Sequence, residues 1–164
     1  IYKFFVSYIN SRMKSEQNQR KFVDLHLHTT YSDGTTTSKS TPTEITSRFQ
    51  KLETIGQGRS VLYFIWDEPA FVVGKNTFID AMLSKIGFTN VCKADRYPSL
   101  ADLKNINPDF VFLSSEPFPF SENHSKKFQE LFPSSKVILV DGEMFSWYGS
   151  RMLLASDYFK SFLK

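Results

Sequence analysis

Two histidines, His26 and His28, stand two residues apart in the segment VDLHLHTTYSDG over 23–34. In an extended chain, side chains at i and i+2 share a face, so both imidazoles could reach one metal ion. Asp33 follows on the adjoining loop, where it could add a carboxylate. The third histidine, His124, and the single cysteine, Cys92, sit in no nucleophile motif, and no Ser-His-Asp or Cys-His arrangement is suggested. A second kind of chemistry is carried by rings. The chain has 17 Phe, 7 Tyr and 2 Trp, and aromatic residues make up 16% of it, above ordinary usage. Several fall in two short segments, SSEPFPF over 114–120 and DGEMFSWYGSR over 141–151. Two prolines stiffen the first, which lowers the entropy cost of presenting its rings. A rigid aromatic rim with few polar groups suits a large, flat, apolar ligand. The plainer alternative is that these rings only cap the structure beneath them.

The elements that must position these residues follow from periodicity. Residues 22–28 alternate as a strand, and 29–43 are a Thr/Ser-rich loop with Gly and Pro. Ahead of them, Ile1, Phe4, Phe5, Tyr8, Ile9 and Met13 recur at helical spacing, and 14–21 reads as a linker. From 44 onward helices and buried strands alternate. The spacing predicts a helix over 44–52 with Thr43 as its N-cap, and further helices over 76–86, 100–105, 123–132 and 149–163. Unbroken apolar runs at 61–66 (VLYFIW), 110–113 (FVFL) and 137–140 (VILV) have the pattern of strands buried on both faces, and 88–98 gives a short strand and turn. Ser150 is a candidate cap for the last helix.

Strand–helix alternation predicts an α/β fold, a mostly parallel sheet flanked by helices in three layers, preceded by an extension over 1–43. Such sheets hold ligands beyond the carboxyl ends of their strands. Those ends are the segments 67–75, 114–120 and 141–150, where the rings lie. Composition excludes other classes. At 41% hydrophobic and 23% charged, the chain is not of disordered type. No apolar stretch nears the ~18 residues of a membrane span. A net charge of +3 is too mild to argue for nucleic acid. Cys92, alone, forms no internal disulfide and no all-cysteine zinc site. Residues 1–10 carry Lys3 with no small-residue cleavage site after them, so no signal peptide is expected there.

Four stretches, VLYFIW, the NTFI…L…GFTNV…RYPSL series, PDFVFLSSEPFPF and KVILVDGEMFSWYGSR, together resemble the C-terminal lobe of periplasmic substrate-binding proteins of the cobalamin and iron–siderophore type. The resemblance runs over 44–164. It implies binding rather than catalysis: a corrinoid or ferric chelate gripped between two lobes joined by a long helix, then passed to an ABC permease and ATPase in the cell envelope. No cofactor is required. The helix over 44–52 would be the end of the lobe-joining helix. Carried over by position, Trp66, Arg96, Tyr97, Ser114, Glu116, Phe118, Phe145, Trp147 and Tyr148 would face the cleft. Arg96 would either engage an anionic group of the ligand or anchor its loop. In that family a whole lobe precedes this one; here 43 residues do, and one wall should hold a ligand more weakly than two.

DLHLHTTYSDGT is similar to the opening motif of PHP domains, metal-dependent phosphoesterases related to histidinol phosphatase. That resemblance implies a divalent-metal site using His26, His28 and Asp33, in which metal-activated water attacks a phosphoester. The further ligands of a multinuclear centre are missing from the sequence. Three readings therefore stand side by side: a solute-binding lobe, a PHP-type phosphoesterase, and an α/β domain with no retained activity.

Overall fold

The computed structural model describes residues 42–149 and 151–163. The helix expected over 1–13, the linker 14–21, the strand 22–28 and most of the loop 29–43 lie outside the described residues. Helix α1 spans Pro42–Gln50, so Thr43, expected as its cap, lies inside its first turn.

The sheet is built on β1 (Ser60–Trp66). Its run of β-branched and aromatic residues suits a strand covered on both faces, and Val61, Leu62, Tyr63 and Phe64 are all fully buried. Alternation divides them between two cores. Val61, Tyr63 and Ile65 pack on one side, Leu62 and Phe64 on the other. Strands β4 (Phe110–Ser114) and β5 (Lys136–Val140) follow in parallel, in the order β1-β4-β5. Strand β3 (Thr89–Asn90) pairs in parallel with the start of β1. These three partners fulfil the expected parallel core. Strand β2 (Phe71–Val72) was not foreseen. It turns back antiparallel against the end of β1, with Trp66 opposite Phe71.

Helix α2 (Phe78–Lys85) begins where Thr77 accepts the Asp80 N–H at 3.0 Å, and it turns Ile79, Met82 and Leu83 inward. Leu100–Asp102 is a single 3₁₀ turn rather than the helix expected over 100–105. Helix α3 (Glu122–Leu131) lies on the Leu62/Phe64 side and buries Phe128 against Phe64, ring centroids 4.7 Å apart. The last helix divides. Asp141 caps a short α4 (Gly142–Ser146), and Gly149, at φ 71, turns the chain into α5 (Arg151–Ser161). Ser150, the expected cap, is outside the described residues. Helix α5 buries Met152, Ala155 and Phe159 on the Tyr63 side.

The ring-rich composition is largely accounted for here. Phe112 meets Tyr63, Phe88, Phe110, Phe145 and Phe162. Burying each such ring contributes about 1.5–3 kcal/mol of transfer free energy before conformational entropy is subtracted. At the opposite, N-terminal end of the sheet, Asp109 binds β1 to β4. Its carboxylate accepts from both the Ser60 N–H and the Ser60 hydroxyl at 2.7 Å. Among the described residues no helix is long and apolar enough to cross a membrane.

Candidate functional site

The C-terminal ends of β1, β4 and β5 carry the loops in question, and two of these loops are bolted together. Ser115, just past β4, donates its N–H to Val140 O at the end of β5 (2.9 Å). Its hydroxyl accepts the Gly142 N–H at 2.9 Å. Gly142 lies so close that an added Cβ would sit 2.3 Å from Ser114 Oγ and 2.7 Å from Glu116 Cγ. Ser114 itself is buried; it donates to Glu116 O at 2.6 Å and accepts from the Tyr63 hydroxyl at 3.1 Å. Burial pushes the Tyr63 phenol far above its ordinary range, so Tyr63 is a neutral donor.

Glu116 and Trp147 meet above this bolt. The indole N–H donates to Glu116 Oε1 at 2.7 Å, and the Ser146 hydroxyl donates to the same oxygen at 2.8 Å. An ionised acceptor makes such bonds short and strong. The Arg151 guanidinium lies 5.1 Å from the centre of the Trp147 ring and pairs with Glu143 at 2.8 Å. Trp147 is thus held at its polar edge and on its ring, yet stays 36% exposed. On the β1 side, Trp66 packs edge-on against Phe118 (5.4 Å), and Phe118 against Phe120 (4.8 Å). Behind them the largely buried Asp67 takes both its oxygens to Lys127 Nζ, at 2.9 and 3.1 Å, which fastens α3 to the end of β1. Trp66, Phe118, Glu116 and Trp147 therefore share one edge, with Glu116 and Phe118 on the same loop.

The other expected site residues have packing or backbone partners of their own. Tyr148 stacks on Phe78 at 4.2 Å. Tyr97 packs against the Tyr63-side core, and burial and the neighbouring Tyr148 push its phenol up, against a smaller lowering by Arg96. Arg96, at φ 63, anchors its loop through the backbone: its N–H donates to Lys75 O (2.8 Å) and its carbonyl accepts from Gly74 (2.6 Å). Two expectations need correction. Phe145 is fully buried, packed on Tyr63 at 5.2 Å and Phe159 at 5.0 Å, because α4 rotates Met144 and Phe145 inward. Ser114, also expected to face the cleft, points down to Tyr63. Spacing alone does not pick out Arg151, Asp67 or Lys127, and it leaves His124 outside any nucleophile motif. The acids next to the strand ends were the available signal; their basic partners are distant in sequence.

A cavity of about 440 Å³ lies away from the rim, between the turn before β1 and the end of α5, lined by Glu53, Arg59, Lys160 and Phe162 among others. Among the described residues no three His, Cys, Asp or Glu side chains gather to hold a metal. His26, His28 and Asp33 lie outside the described residues. Burial raises the Cys92 thiol above its ordinary value, which keeps it protonated and unreactive.

Solved structures share this arrangement of strands and helices. A protein of Staphylococcus epidermidis, described as a possible iron-binding periplasmic solute-binding protein, superposes with a TM-score of 0.56 at 17% identity, over 73% of this chain and 51% of its own. A periplasmic vitamin B12-binding protein of Vibrio cholerae gives 0.53 at 14% identity, over 71% and 47%. A periplasmic haem-binding protein of the same organism gives 0.52 at 18%, over 73% and 51%.

The fold is that of one lobe of a periplasmic solute-binding protein.

The chain spans about half the length of these structures. No family model and no curated protein matches its sequence. In this lobe the rim of Trp66, Phe118 and Trp147 occupies the carboxyl edge of the sheet, where α/β sheets hold their ligands.

Proposed function

We propose that this chain forms one ligand-binding wall of a solute receptor, and that its ligand is a bulky, flat, mostly apolar metal chelate: a corrinoid, a haem or a ferric siderophore. The observation that carries the reading is the convergence of Trp66, Phe118 and Trp147 on one edge, with Trp147 fixed by Glu116. Rings already held in place lose little freedom when a ligand lands on them, so more of the contact energy is available for binding. The likeness in fold to proteins described as binding iron, vitamin B12 and haem supports the same ligand class. By the same reasoning the receptor works at the cell envelope and delivers its ligand to an ABC permease and ATPase. Chemistry at the rim is not required; contact and release suffice.

The test is a titration of the chain with cyanocobalamin, haemin and a ferric hydroxamate, followed by tryptophan emission and by calorimetry. Both tryptophans of the chain, Trp66 and Trp147, stand on the rim, so occupancy by an absorbing chelate quenches most of the emission. Saturable quenching with heat for at least one ligand is the expected result. Absence of both for all three, at the highest soluble concentrations, defeats the reading.

A further inference from the structure

His124 occupies the third position of α3 and its Nδ1 accepts the Ser121 N–H at 3.0 Å, with Ser121 Oγ at 2.8 Å. Because the backbone N–H can only donate, Nδ1 is the acceptor and the ring proton sits on Nε2. The imidazole fills the role usually taken by Glu or Gln at this position, closing a free donor at the helix start. The same ring stands edge-on to Phe118 at 5.2 Å and to Phe120 at 5.6 Å. Phe118 in turn packs on Trp66. A helix cap and the ligand wall are therefore built on one titratable ring.

We propose that His124 is a positioning residue for the Trp66–Phe118 wall and holds it only while Nδ1 is unprotonated. A proton on Nδ1 turns the acceptor into a donor. It can then donate to Ser121 Oγ, but the Ser121 N–H is left facing a donor. It also puts a positive charge at the positive end of α3. The cap opens, the ring moves, and Phe118 and Phe120 lose the surface they rest on.

Other charged groups stand on the elements packed against the ring. On the β4–α3 loop, Glu116 is held by Trp147 and Ser146. On the β1–β2 turn, Asp67 and Glu68 are both paired with Lys127 of α3, whose ammonium those acids keep charged. Glu122 stands on the first turn of α3 itself. Between about pH 8 and pH 5 imidazole is the side chain whose charge ordinarily changes. The wall is the one proposed above as the ligand contact, but the device acts without ligand, so it can be tested apart from that reading.

The experiment is a ligand-free pH titration of Trp66 emission in full-length Trp147→Phe, from about pH 8 to pH 5. The expected result is a one-proton shift of the emission maximum. His124→Gln and His124→Glu, added to Trp147→Phe, each keep an acceptor at the cap without an imidazole and abolish the step, while His26→Gln with His28→Gln leaves it intact. Far-UV circular dichroism shows whether each variant keeps its helices. A flat profile in Trp147→Phe, or a step that survives both His124 substitutions, overturns the proposal.

Discussion

The Trp147 indole N–H and the Glu116 carboxylate meet at 2.7 Å across 31 residues of sequence, and this bond fixes the rim ring farthest from β1. Glu116→Ala removes it. The bond is partly exposed, so its loss is worth about 1 kcal/mol, or roughly a fivefold weaker grip on any ligand that contacts Trp147. Glu116→Gln keeps an acceptor and should lose less. Emission of the Trp66→Phe variant reports Trp147 alone, and its maximum should move red with Glu116→Ala. An unchanged maximum and unchanged affinity would show that Glu116 does not position the ring.

Gly142 is a point of close approach between the β4 and β5 loops. Gly142→Ala drives a methyl group into Ser114 Oγ and Glu116 Cγ. The crowded atoms include the Glu116 backbone nitrogen, 3.1 Å from the new carbon, so the strain cannot be relieved by one side-chain rotation. A loss of about 1–3 kcal/mol in stability is expected from chemical denaturation, along with weaker ligand binding. Full stability would mean the loops separate freely.

Phe145 separates core from rim most sharply. Phe145→Ala should cost about 3–5 kcal/mol, because the ring is fully buried among Tyr63, Phe112 and Phe159. Phe145→Leu should cost less and keep the fold. Ligand affinity of the folded Phe145→Leu protein should equal that of the wild type. A selective loss of affinity would return Phe145 to the binding surface.

Asp109 gives a pH signature at the other end of the sheet. The Ser60 N–H and hydroxyl hold its carboxyl below the usual range. A carboxyl lowered in the folded state stabilises the protein above its unfolded value, and that stabilisation is lost as pH falls through the folded value. Thermal melts of the wild type and Asp109→Asn should therefore differ by a constant amount from about pH 8 to pH 5 and converge below about pH 4. A gap that persists into acid would mean the carboxylate charge does not matter.

The three long strands were legible because VLYFIW, FVFL and VILV are apolar without a break, and only a sheet covered on both sides buries such runs. The position of the rim followed from the strand ends alone. Strand β2 was hidden because two residues carry no period, and its pairing depends on Trp66 meeting Phe71 across a bulge. The short α4 was hidden for a related reason. Phe145, Trp147 and Tyr148 read as a row of rim candidates, yet a single helical turn sends Met144 and Phe145 inward and Trp147 outward. Ring identity gives no sign of which side a ring takes. Lys127 reaching Asp67 across 60 residues, and Arg151 lying over Trp147, are contacts of the folded chain that local spacing does not encode.

The most direct test is calorimetric titration of the tightest chelate against the wild type, Trp66→Ala, Phe118→Ala and Trp147→Ala. If the three rings form one wall, each substitution weakens binding by severalfold while the folded fraction holds. Wild-type affinity in all three variants would place the ligand elsewhere and contradict the account.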